Sequence, residues 1–130
     1  MRIFQTSLLV NNQEKALAFY TEMLGFEKKT DVTAGAYRWI TVISPEGAEG
    51  VELVLEPNAN PAARTYQEAL LAQGIPMMMF ATQDLDADYK RLQELGVEFK
   101  QAPIQMGPAK VAQFYDTCGN LIQLSEFAKA

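Results

Sequence analysis

The sequence contains no histidine among its 130 residues. That absence removes the commonest general base and the commonest metal ligand of proteins. A Ser–His or Cys–His nucleophile pair cannot be assembled, and a zinc site would need thiolates or carboxylates instead. Cysteine is almost as scarce. Cys118 is the only one, so no disulfide closes within the chain, which fits a reducing compartment. Long apolar runs are missing too, and a stretch such as residues 76–81 is far too short to span a bilayer. No basic segment followed by a long apolar one opens the chain. The expectation is a soluble cytoplasmic protein without a membrane partner. Basic residues are in deficit, 11 Lys and Arg against 16 Asp and Glu, for a net charge of −5. That balance argues against nucleic acid, which calls for a basic footprint. The acidic excess reads as solubility, with attraction of cationic small molecules as the sharper alternative.

What is present is a core-forming composition, 48% hydrophobic, arranged as short periodic segments that suit one globular domain. "MRIFQTSLLV" is strand-like, with an amide, Gln5, inside an apolar run. "NNQEKALAFYTEMLGF" places Ala16, Leu17, Phe19, Tyr20, Met23 and Leu24 at helical spacing. Asn12 suits its N-cap and Gly25 its C′ position. "FEKKTDV", "AYRWITVIS" and "VELVLE" read as strands. Asn60 and Pro61 form a cap and first-turn pair for a linking helix that ends near Gly74. "PMMMFAT" is a strand and "DLDADYKRLQELG" a second amphipathic helix stopped at Gly96. "VEFKQAP" is extended, and "AKVAQFYD", "TCGN" and "LIQLSEF" are strand, turn and strand.

The order is β-α-β-β-β, a linker, then β-α-β-β-β, the mark of an internal duplication. Ala16 falls on Ala87, Leu24 on Leu95, Gly25 on Gly96 and Glu52 on Gln123. The helices align along their whole length only if one gap is allowed. With a helix-entry loop one residue shorter in the second half, Gln5 stands opposite Met77.

The stretches "LLVNNQEKALAFYTEMLGF", "YRWITVISPEG", "VELVLE", "DLDADYKRLQELGVEF" and "AQFYDTCGNLIQLSEF" together resemble the vicinal oxygen chelate superfamily. That group holds glyoxalase I, bleomycin resistance proteins and extradiol dioxygenases. The resemblance spans nearly the whole chain. It implies an α+β fold of two βαβββ modules whose curved mixed sheets surround a cavity, and in many members a homodimer. It divides residues 1–130 into a module at about 1–57, a linker helix at about 58–74 and a module at about 75–130. Family enzymes place four metal ligands on the first and last strands of the modules. Carried over, those positions are Gln5, Glu52, Met77 and Gln123. Only Glu52 is a strong ligand for a hard cation. Gln5 and Met77 stand where histidine is expected, although some members use Gln at the first position, and Gln123 stands where Glu is expected. Two amides, one carboxylate and one thioether make a poor set for a divalent ion, so the expectation is no metal cofactor.

Strand alternation places Gln5, Ser7 and Leu9 on one face, Glu52 with Val54 and Glu56, Gln123 with Leu121 and Ser125, and Met77 with Met79. Tyr37, Trp39 and Thr41 share a face. The expected small-molecule site comprises Gln5, Trp39, Glu52, Met77, Met79, Phe114 and Gln123. Each has an ordinary rival role. The methionines and aromatics suit core packing as well as an adaptable cavity wall, and Glu52 suits a carboxylate satisfied by neighbouring amides as well as a ligand counter-ion. Asp116, Gly119 and Asn120 read as turn chemistry and Cys118 as an incidental thiol. Asp84, Asp86 and Asp88 sit at a helix start, without the glycine and distal glutamate of a calcium loop. The leading expectation is a binding protein that lacks the metal set. The alternatives are a divalent-metal-dependent glyoxalase-type lyase, isomerase or dioxygenase acting through Glu52, and a metal-free enzyme with Glu52 as general base.

Overall fold

The computed structural model describes residues 1–128 and shows two mixed four-stranded sheets with helices, an α+β fold. In chain order the elements are β1 (Gln5–Val10), α1 (Gln13–Ala18) running into a π-helical turn (Phe19–Met23), β2 (Glu27–Ala34), β3 (Tyr37–Ile43), β4 (Glu52–Pro57), α2 (Pro61–Gln73), β5 (Met78–Ala81), α3 (Leu85–Glu94), β6 (Phe99–Met106), β7 (Ala109–Tyr115) and β8 (Leu121–Phe127). The sheet orders are β1-β4-β3-β2 and β5-β8-β7-β6, and neither sheet is closed. In each, the first and last strands of the βαβββ unit run parallel and the other neighbours antiparallel. The chain divides into two compact units, Met1–Tyr66 and the segment from Gln67 onward, and the division falls inside α2. Among the described residues no helix is long and apolar enough to cross a membrane.

In the first unit, α1 starts where Asn12 Oδ1 accepts from the Lys15 amide at 3.0 Å. Its Ala16, with Phe19 and Tyr20 of the π turn, packs on the sheet face formed by Leu8, Val10, Ile40, Val42, Leu53 and Leu55, all buried. Gln13 pins the helix to that face. Its amide donates to the carbonyls of Arg38 and Leu55 and accepts from the Arg38 amide. Arg38 in turn pairs with Asp31 at 2.6 Å and with Glu14. The guanidinium holds the Asp31 carboxyl below its ordinary 3.8, and the same pairing raises Arg38.

The π turn accounts for the gap in the duplication. Gly25 follows Asn12 by 13 positions, whereas Gly96 follows the N-cap of α3, Asp84, by 12. A π turn absorbs one inserted residue without ending a helix. Thr21 Oγ1 donates to the Leu17 carbonyl at 2.6 Å and occupies an acceptor in the irregular stretch. Gly25 and Gly96 take φ of +79° and +90° at the two helix ends, a region in which a Cβ is disfavoured.

In the second unit, α3 covers the face of β6–β8 that carries Ala112, Phe114, Ile122 and Leu124. Tyr89 of α3 meets Phe99 edge-on at 4.6 Å, and Phe99 meets Phe114 at 5.6 Å. The aspartates at the start of α3 serve structure. Asp84 caps the helix through the Ala87 amide at 3.1 Å, Asp86 pairs with Lys110 at 2.8 Å, and Asp88 accepts from the Thr82 hydroxyl. The β7–β8 turn is organised by Asp116, whose carboxylate accepts from the Cys118 and Asn120 amides at 2.7 and 3.0 Å and from Asn120 Nδ2 at 2.7 Å. Gln67 of α2 donates to Asn120 Oδ1 at 3.0 Å and to the Cys118 carbonyl at 3.2 Å. All four side chains are buried, so the turn residues are structural, as their chemistry indicated, and Gln67 joins them.

Candidate functional site

The helix-free faces carry Gln5, Trp39 and Glu52 in the first unit and Met79 and Gln123 in the second. In the first unit the parallel pairing sets Gln5 beside Glu52, Ser7 beside Val54 and Leu9 beside Glu56. Thr41 of β3 lies opposite Val54, and Trp39 lies two residues along on the same face, opposite Val32 of β2. Trp39 is 42% exposed, whereas Glu52 is 6% and Thr41 0% exposed. Among the described residues no hydrogen bond or ion pair reaches the Glu52 carboxylate, and the Thr41 hydroxyl oxygen is buried without a partner. β3 therefore holds one buried polar group unsatisfied, a state folded proteins rarely keep without a use, near a Glu52 carboxylate that has no partner within the described residues.

In the second unit Gln123 lies beside Met79, not Met77. Met77 precedes β5 and donates its amide to the Leu121 carbonyl at 2.9 Å. Glu52 pairs with Gln5 and Gln123 with Met79, so Met79 is the counterpart of Gln5. Placing Met77 there misses the true length of the loop into α3. Met79 is 67% exposed. The Gln123 amide donates weakly to Met79 Sδ at 3.6 Å and to Ser125 Oγ at 3.4 Å, and its oxygen accepts from Gln113 at 3.4 Å. Contacts this long exchange readily.

Phe114 is a correction. It pairs with Ile122 and Phe99, one residue out of step with the Gln113–Gln123 pair. It therefore faces α3, fully buried, as part of the core. The sequence reading put it in the site, but the alternation of β7 turns it to the other face. Gln113 is the residue that reading missed. Its signal was its distance from Cys118, the middle of the turn, which equals that of Gln123.

The donors present do not fit a hard divalent cation. The corresponding positions supply the Gln5 amide and the Glu52 carboxylate in the first unit, and the Gln123 amide and the Met79 thioether in the second. Gln123 directs its NH₂ group, not its oxygen, at the sulfur. Such a cation takes several charged or carbonyl oxygens, and a thioether suits soft metals. Among the described residues no group of three His, Cys, Asp or Glu side chains stands together.

The chain is 51% identical over 124 residues to the uncharacterized YurT protein of Bacillus subtilis (strain 168), covering 95% of this chain and 98% of that one. Among solved structures, UcmS2 matches with a TM-score of 0.81 and 32% identity, covering 96% of this chain and 97% of that one. TnmS3, an antibiotic binding protein from Streptomyces sp. CB03234, matches with a TM-score of 0.77 and 31% identity, covering 98% and 97%. The family model for the Glyoxalase/Bleomycin resistance protein/Dioxygenase superfamily spans residues 2–124, and the chain belongs to that superfamily.

Proposed function

We propose that this protein binds a small organic molecule non-covalently on the helix-free faces of its sheets, without a metal, and that it works as a homodimer. One observation carries the reading: the Glu52 carboxylate, on a residue only 6% exposed, stands beside Gln5 with no partner among the described residues, on the face that also holds the orphaned Thr41 hydroxyl and the half-exposed Trp39. A ligand that offers a hydrogen-bond donor to Glu52 and a flat surface to Trp39 satisfies both needs. In the second unit, taken by itself, the helix-free face offers Met79 as a deformable apolar contact and Gln123 as an amide held only by weak contacts. The similarity to an antibiotic binding protein supports an antibiotic as the ligand class, and the exposed Trp39 ring favours one with a flat aromatic part.

The protein carries its own reporter, because Trp39 is the only tryptophan. Titrating a panel of aromatic antibiotics while following tryptophan fluorescence gives saturable quenching for at least one of them. Glu52→Ala weakens that binding by roughly 10- to 100-fold, the range for a lost hydrogen bond to a charged group. Turnover of the bound molecule, or a requirement for added divalent metal, would overturn the reading.

A further inference from the structure

A second recess lies at the far end of the first sheet, where the parallel strands β1 and β4 finish side by side at Val10 and Pro57. Open sheets with helices bind ligands outside the carboxyl ends of such strands, where the chains part. Here the parting segments are "NNQ" and "PNANP", and parallel pairing brings these amide-rich stretches together. They border a cavity of about 260 Å³ that is also lined by Tyr37 and Arg64.

Some of the polar groups there are already committed. Asn12 caps α1 and Gln13 anchors it to β3 and β4. Asn60, just before α2, accepts from the Ala62 amide at 2.9 Å. Arg64 is different. No hydrogen bond or ion pair engages its guanidinium among the described residues, whereas nearby Arg38 is held by Asp31 and Glu14. The Tyr37 hydroxyl is likewise without a partner, and Asn11 offers an amide. An uncommitted guanidinium facing a cavity is notable in a chain with 16 acidic residues against 11 basic ones.

We infer that this cavity is a binding site for a small organic carboxylate, separate from the sheet-face site, with Arg64 as its anchor. A planar guanidinium matches a carboxylate through two parallel N–H donors. Tyr37 supplies an O–H donor to the same group, and Pro57 and Ala59 give the acid's hydrocarbon part an apolar contact. That apolar contact favours an organic acid over inorganic phosphate. The volume lies just below the range of about 300–1,000 Å³ for drug-sized ligands, so the acid is compact.

Titrating the ¹⁵N-labelled protein with benzoate, with phosphate and chloride at matched ionic strength, tests this. Benzoate produces saturable amide shifts centred on Asn11, Asn58 and Arg64, and the two inorganic anions do not. Arg64→Gln weakens benzoate binding at least tenfold, and Tyr37→Phe weakens it several-fold, with the remaining spectrum unchanged. Shifts linear in benzoate, equal saturation by phosphate, or undiminished binding in Arg64→Gln would overturn the assignment.

Discussion

At Glu52 a carboxylate stands on a residue only 6% exposed, with no hydrogen-bond or ion-pair partner among the described residues. Glu52→Gln replaces the charge with a neutral amide of the same shape. No internal bond is lost, so the ligand-free protein should keep its stability to within about 0.5 kcal/mol, while binding of whichever antibiotic quenches Trp39 weakens. Calorimetry of the free variant checks the first half, and a large fall in Tm would mean that Glu52 holds the fold rather than the ligand. Gln67 shows the opposite behaviour. It is buried and fully used, so Gln67→Ala leaves the Asn120 side chain and the Cys118 carbonyl short of a donor. A loss of about 1–3 kcal/mol in denaturant unfolding is expected. The sequence concealed Gln67 because its partners lie 51 and 53 residues away, and no local pattern encodes such a bond.

At the scale of elements, α1 is fastened to its sheet by Asn12, Gln13 and the Arg38 ion pairs. Asn12→Ala should cost about 1 kcal/mol through loss of the cap. The Arg38–Asp31 pair gives a signature in pH. The folded Asp31 carboxyl titrates below its ordinary 3.8 because Arg38 hydrogen-bonds to it. A lowered folded value contributes stability that is fully present above the unfolded value and is lost as pH falls through the folded one. Arg38→Gln is therefore less stable than the parent near neutrality, and the two Tm curves converge below pH 3.8. A gap that stays constant with pH would mean that Arg38 acts by packing alone.

The same scale shows what the sequence reveals and what it hides. Caps, stop glycines and period-two alternation were local, and they located Asn12, Gly25, Gly96 and the shared faces of Gln5, Glu52 and Gln123. Which face of a strand meets the helix, and which residues sit side by side across a parallel pair, depend on loop lengths and packing. That is why Phe114 was placed on the wrong face and Met77 in the position of Met79. The π turn appeared in the sequence only as an alignment gap, because a one-residue insertion in a helix leaves its apolar stripe almost intact.

At the scale of the whole molecule, the helix-free faces leave large apolar side chains in water: Val32 beside Trp39 in the first sheet, and Met79, Ile104, Met106 and Phe127 in the second. Clusters of this kind mark surfaces that are covered in use, which accords with the proposed homodimer. Sedimentation velocity at micromolar concentration should report twice the 14.5 kDa chain mass, and a single-chain mass would contradict it. The central claim is that the sheet-face site keeps a ligand-binding function without a metal. Native mass spectrometry of protein purified from cells without chelators addresses it most directly. The account predicts the bare protein mass, with or without a bound organic molecule. One divalent metal per chain, lost in Glu52→Ala, would contradict it.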